Sequence, residues 1–307
     1  MTDFLTPILS GTVQAATPLI LAGTGELIAE RSGVINLGVE GMMLCGAIAG
    51  FAVAASGGGN WGGLAAGSVA GAGSALIFGV LTLTLLANQI ACGLALTIFG
   101  IGLSAFIGQS YTGFSLKGMP PIHLPVLSDL PLVGPILFRQ DACTYLALAL
   151  FAVVWWVLAK TKAGLIVRAV GESSESAHAI GYPVIRIRYL TTLFGGAMAG
   201  LAGAYLAIVY TPFWAENMTA GRGWIAVALV AFATWRPGRL LLGAYLFGGV
   251  TIVQFHAQGL GVPVPSELLS MLPYLATIVV LVMISRNRQL VRLSYPAALG
   301  KPFLPGN

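Results

Sequence analysis

Ten carboxylates, fifteen basic side chains and three histidines among 307 residues leave this chain few groups able to make or break bonds. His123, His178 and His256 are scattered, and none stands at ligand spacing from another, so the sequence offers no metal site. No GxxxxGK-Ser/Thr loop occurs, so the chain does not cradle nucleotide phosphates in the usual way, and energy from a nucleotide would have to come from a partner. Cys45, Cys92 and Cys143 lack CxxC spacing and lie within or beside apolar runs, as small core residues do. No acid/base or nucleophile pair falls within a plausible site. The expectation is a protein that is not an enzyme, with no catalytic residue and no cofactor.

The polar residues suit another role, a pathway for a polar solute. Glu40 opens a long apolar run, and Asn36, Asn88, Gln89 and Gln254 lie near or within the apolar zones. Intramembrane polar groups are costly, which makes them the default candidates for a pathway. The same groups could instead pair with backbone carbonyls and hold helices together. Glu216, Asn217 and Arg222 stand between apolar runs, flanked by Trp214 and Trp224, and form either an outer vestibule or a Glu216–Arg222 staple. A third cluster is the stretch from Arg168 to Arg188, with five charges and a histidine. Glu172 to Ile180 reads as a short solvated helix closed by Gly181.

The elements that carry these residues are membrane spans. Hydrophobic residues make up 57% of the chain and charged ones 8%, against roughly 25% charged in a soluble domain. From Gly41 through Leu116 there is no charge at all. Apolar runs at about 4–24, 38–56, 61–87, 90–109, 142–159, 189–210, 223–235, 240–258 and 267–285 give eight or nine spans. The 223–235 run reaches only about 20 Å as a helix and must borrow flanking residues or be a broken half-span. The segment 25–37 reads as a loop or re-entrant segment. Gly67-x-x-x-Gly71 and Gly196-x-x-x-Gly200 are small-residue faces for close helix packing. Basic residues cluster at the edges of runs rather than on a solvated face, which sets topology and argues against a nucleic-acid partner. Twelve of the fifteen fall on one side if 160–188 is cytoplasmic, with the C-terminus inside and 110–141 outside. The expected fold class is all-α, a polytopic integral membrane protein forming one domain over 1–307, with 160–188 its cytoplasmic loop.

Four phrases carry a resemblance: GELIAERSGVINLGVEGMMLCGAIAGF, NQIACGLAL, GLIVRAVGESSESAHAIGYPVIRIRYLTTLFGGAMAGLAGAYL and ENMTAGRGWIAVALVAFATWRPGRLLLGAYLFGG. In this order they resemble the permease subunits of bacterial ABC importers for simple sugars and nucleosides, the last phrase nearest to the nucleoside branch. Glu175-Ser176-Ala177-x-x-x-Gly181 is similar to the EAAxxxG signature of ABC importer permeases, with Ser in place of the middle Ala. The resemblance implies that a coupling helix around Glu172, Glu175, Ser176, Ala177 and Gly181 docks on a cytoplasmic ATPase subunit. It also implies a second permease, a paralogue, an extracytoplasmic substrate-binding lipoprotein and a multi-pass place in the bacterial cytoplasmic membrane. The substrate implied is a nucleoside, with a simple sugar as the alternative. A rival of another class is an ion-coupled secondary transporter, for which Glu40 is the attractive carboxylate.

Overall fold

The computed structural model describes residues 2–123, 125, 127–128, 130, 133–259, 264–265, 268–269, 271–285 and 294–304. Among these the regular structure is helical: α1 (Thr2–Arg31), α2 (Val39–Val53), α3 (Gly59–Gly79), α4 (Gln89–Gly108), α5 (Val133–Leu137), α6 (Ala142–Lys160), α7 (Lys162–Glu172), α8 (Ser174–Ala179), α9 (Val184–Tyr205), α10 (Arg222–Phe232), α11 (Pro237–Gly259) and α12 (Leu272–Ser285). Two isolated bridges, Ser115 with Phe213 and Pro121 with Asp141, pin the long connections. Six stretches are long and apolar enough to cross a membrane: Leu5–Arg31, Val39–Thr84, Gln89–Tyr111, Ala142–Lys160, Val184–Tyr210 and Pro237–Gly259. The protein is an all-α polytopic membrane protein. The stretch Val39–Thr84 is no single rod, because Gly57 and Gly59 take φ of +95° and +69° and fold α3 back along α2.

Polar side chains inside the spans are satisfied locally. The hydroxyls of Thr12, Thr17 and Thr24 on α1 donate back to the carbonyls of Ile8, Val13 and Ile20, as a helix in hydrocarbon requires. Side-chain caps start the helices that begin near an end of the bundle. Asn88 accepts from the Ala91 amide at 3.0 Å, Asp141 from Thr144 at 2.8 Å and Thr161 from Gly164 at 3.2 Å.

At the centre, α2, α3 and α9 approach so closely that side chains would not fit between them. A Cβ added to Gly203 would lie 1.8 Å from the Met43 carbonyl oxygen, and one at Gly71 would lie 2.1 Å from that of Gly196. The two small-residue faces expected from the sequence therefore pack on each other within one chain. α1 lies against α9 on one side and α11 on the other.

The segment 25–37 divides. Residues 25–31 complete α1, carrying Glu26 and Glu30 into the bundle, where they are 1% and 4% exposed. Residues beyond Arg31 then turn back inward, so that the Asn36 amide donates to Glu26 at 3.2 Å. A second break precedes α10. Asn217, Ala220 and Gly221 have φ of +53°, +46° and +81°, which ends the incoming chain and starts an eleven-residue half-span. The described basic residues Arg31, Lys160, Lys162, Arg168, Arg186, Arg188, Arg236, Arg239 and Lys301 gather at one end of the bundle, linked by Arg31 to the Trp235 carbonyl and by Arg188 to that of Lys301. The tail residues Arg286, Arg288 and Arg292 lie outside the described residues.

Candidate functional site

At the basic end, α7 and α8 form a bent pair outside the bundle. The bend is local chemistry: Ser173 closes α7, and its hydroxyl accepts from the Ser176 amide at 3.2 Å to start α8. Glu172 therefore ends the first helix rather than opening the second, while Gly181, at φ +93°, closes α8 where the sequence placed the stop. Glu172, Glu175, Ser176 and Gly181 are exposed and Ala177 is buried at 2%. Ile180 is 72% and Leu165 60% exposed, so this polar pair also offers apolar contact area outside the bundle.

What fastens the pair is Arg188, 2% exposed at the start of α9. Its guanidinium donates to the Ser32 carbonyl after α1 at 3.2 Å, to the Ser174 hydroxyl on α8 at 2.9 Å and to the Lys301 carbonyl at 2.9 Å. Residues 294–304 thread through the same junction. The Ala298 amide donates to Gly171 at 2.9 Å and the Gly300 amide to Gly33 at 3.0 Å, and the Phe303 ring meets His178 edge-on at 5.4 Å. A cleft of about 190 Å³ remains between Glu172, Glu175, Arg188, Lys301 and Phe303.

The polar residues expected along a pathway separate into three places. Glu40 reaches across to the break before α10. Its Oε1 accepts from the Thr219 hydroxyl at 2.6 Å and the Gly221 amide at 2.8 Å, and its Oε2 from the Gly223 amide at 2.6 Å. A buried carboxylate from α2 thus caps the amino end of the half-span, where free amides and the helix dipole favour negative charge. Asn88 and Gln89 line a cleft of about 260 Å³ at the basic end with Ile35, Leu86 and Pro302. Gln89 Oε1 accepts from the Ile35 amide at 2.8 Å, while its buried Nε2 has no partner among the described residues. Asn36 is 1% exposed and turns its carbonyl onto the Gly38 amide. Glu216 and Asn217 are exposed at the opposite end, and Arg222 donates to the carbonyls of Met218 and Thr219 with its guanidinium 5.9 Å from the Tyr210 ring centre.

A family model described as branched-chain amino acid transport system / permease component matches residues 8–284. The chain belongs to this family. It is 44% identical to a putative glucose ABC transporter permease of Haloferax volcanii, over 97% of each chain. It is 30% identical to a guanosine ABC transporter permease of Bacillus subtilis, over 99% of this chain and 98% of the relative. A nucleoside ABC transporter permease of Lactococcus lactis is 31% identical over 87% of this chain and 88% of its own. The protein is an ABC importer permease, a multi-pass subunit of the cytoplasmic membrane, and the ion-coupled secondary transporter is set aside.

Several residues that organise this permease escaped the sequence reading. Glu30 accepts from the Trp235 indole and Glu26 from the Asn36 backbone amide, so two carboxylates one turn apart hold the basic-end turn of α1 against its neighbours. Their signal was visible as charge in an otherwise apolar stretch, but the run was divided at Thr24. By sequence Arg188 counts only toward topology, because its four distant acceptors are three backbone carbonyls and a serine hydroxyl. Asp141 and Tyr205, joined at 3.3 Å, were not singled out at all.

Proposed function

We propose that this permease is the membrane subunit of an ATP-driven importer for solutes built on a sugar ring, a nucleoside by the ENMTAGRG phrase or a simple sugar. One observation carries the mechanism: an exposed helix pair, tied through Arg188 to the ends of α1 and α9, stands at the basic end of a chain with no nucleotide loop of its own. A soluble ATPase pressing on Glu172, Glu175, Ser176 and Gly181 would move Arg188 with them, and hence two spans at once. Residues 1–307 act as one transmembrane domain, with 160–188 its coupling loop. The importer is completed by the ATPase, a second permease that is a paralogue, and an extracytoplasmic substrate-binding lipoprotein. Glu216 and Asn217 belong to the outer vestibule. The cleft beside Asn88, Gln89 and Asn36 is the inner mouth of the path, and Glu40 holds the half-span that borders it. The permease itself performs no bond chemistry.

The similarity to a glucose permease at 44% supports the simple-sugar reading, and the two relatives at about 30% support the nucleoside reading. Uptake of labelled nucleosides, pentoses and hexoses by the complete importer in proteoliposomes decides between them. Uptake of one class should require ATP inside the lumen that faces the coupling loop. Uptake driven by an ion gradient without ATP would sink the proposal.

A further inference from the structure

At the end of the bundle opposite the coupling pair, a cleft of about 150 Å³ opens between α1, α6 and the end of α9. Gln14, Arg139, Asp141, Tyr205, Val209 and Tyr210 line it, and the connection at Pro121, bridged to Asp141, lies over its edge. We propose that this cleft is an outward-facing site for a single sugar ring, which rests on the importer reading above and adds to it a place where the permease itself holds the solute.

The chemistry of the lining is that of a neutral polyol site. Asp141 is 5% exposed, and its Oδ2 accepts from the Thr144 and Tyr205 hydroxyls at 2.8 and 3.3 Å while Oδ1 accepts from the Thr144 amide. An ionised carboxylate has about four acceptor positions, so Oδ1 keeps capacity for a solute hydroxyl. Gln14 supplies a donor, and an amide on α1 is out of place in a purely lipid-facing or core position. Tyr210, half-buried at the cleft, offers a phenol face against which the apolar side of a ring can lie, while Tyr205, fully buried behind it with ring centres 6.4 Å apart, holds Asp141 in place. Capping α6 explains Asp141 alone. It does not explain an amide and an accessible phenol ring gathered beside it around the same opening. The polar chain also continues inward, from Asp141 through Thr144 to Thr17, whose hydroxyls are 3.2 Å apart and fully buried between α1 and α6. The volume falls below the roughly 300 Å³ at which pockets for drug-sized ligands begin, which fits one ring and not a two-ring solute. The ring is therefore either a free simple sugar or the ribose of a nucleoside whose base stays outside the cleft.

The test is substrate protection of a cysteine in the cleft, in the complete importer in proteoliposomes with the coupling end inward and without ATP. Val209→Cys should react with an impermeant maleimide added outside, and glucose or guanosine, each also supplied with the binding lipoprotein, should slow that reaction several-fold. Ser115→Cys, exposed at the same end but outside the cleft, should show no protection, and the unsubstituted permease gives the blank. Met119→Cys serves as a second probe should Val209→Cys fail to assemble. Protection by glucose alone assigns a simple sugar, by guanosine alone the ribose of a nucleoside, and by both the shared ring. Gln14→Leu should raise the concentration for half-protection about five-fold or more, the cost of one lost hydrogen bond. No protection at either probe by either solute, in an importer that takes one of them up with ATP, overturns the site. Loss of all ATP-driven uptake by the unsubstituted importer instead refutes the importer reading, so the two failures are distinct.

Discussion

Glu40 shows how one residue can be placed by sequence and explained only by structure. A carboxylate in a run without other charge marks a special position, yet its partners Thr219, Gly221 and Gly223 lie about half the chain away. Glu40→Gln keeps the shape but replaces one acceptor oxygen by a donor facing an amide or hydroxyl, and it removes the charge that favours the amino end of α10. Bonds to a charged group contribute about 1.5–3 kcal/mol each, so the folded fraction should fall and the melting temperature drop clearly, while uptake per folded complex is largely kept. An unchanged melting temperature with abolished uptake would return Glu40 to the solute path. Arg188 is the converse case, a charge that sequence assigns to the membrane edge and structure turns into a junction. Its planar fork reaches Ser32, Ser174 and Lys301 together, which a lysine's single ammonium does not. Arg188→Lys should therefore leave assembly intact and cut solute moved per ATP hydrolysed by about ten-fold, a change of about 1.4 kcal/mol in the coupling equilibrium. Equal ratios in the two proteins would remove Arg188 from the coupling path. Neither partner set was legible in the sequence, because most of the atoms concerned are backbone amides and carbonyls, whose identity no residue type announces.

Elements were legible where their signal is local. Long apolar runs fixed the spans, glycines four apart marked the faces of α3 and α9 that meet, and the shortness of 223–235 foretold a half-span. The solvated helical segment lies where the sequence places it, but Ser173 divides it in two, since a serine before Ser-Glu-Ser caps a new helix rather than continuing the old one. The stop at Gly181 permits a sharp test. A Cβ there meets nothing within 4 Å, so Gly181→Val carries only the penalty of a β-branched residue at φ +93°, of order 1–3 kcal/mol, without a clash. The spans should insert and the melting temperature should move little, because α8 stands outside the bundle. Reversing Glu175 to Lys in the same protein should further weaken docking of the ATPase. Uptake by the double variant is expected to fall at least several-fold with membrane levels unchanged, as measured by transport beside quantitative blotting. Normal uptake at normal levels would show that α8 is not the docking element.

The whole molecule joins these parts through a segment that sequence reads as a mere tail. Residues 294–304 carry one charge and two prolines, and their apolar residues have neither helical nor alternating spacing, so nothing local announces a fixed conformation. In the folded protein they lie between α1, the α7–α8 pair and the half-span: Ala298 bonds to Gly171, Gly300 to Gly33, Lys301 receives Arg188, and the Tyr295 ring meets Trp235 edge-on at 5.2 Å. The tail thus closes the basic end, linking the surface on which an ATPase would press to the turn that carries Asn36 and binds Gln89 through Ile35. Ending the chain after Leu293 removes this link without disturbing the glycine contacts of α2, α3 and α9, which form the centre of the bundle. Arg188 would lose the carbonyls of Lys301 and Ala298, and the removal of residues 294–304 that cover it would open it to water, which replaces those bonds at modest cost. Insertion, assembly and ATP hydrolysis by the truncated importer should persist, while solute moved per ATP falls several-fold, because the helix pair then keeps its tie to the end of α1 through Arg188 but loses those through Ala298 and Gly300. Restoring the segment as part of the same chain, with Ala298 and Gly300 kept and Phe303→Ala, should recover most of the ratio, since the backbone bonds return. Full coupling in the truncated importer would show that force reaches the spans through Arg188 and α9 alone.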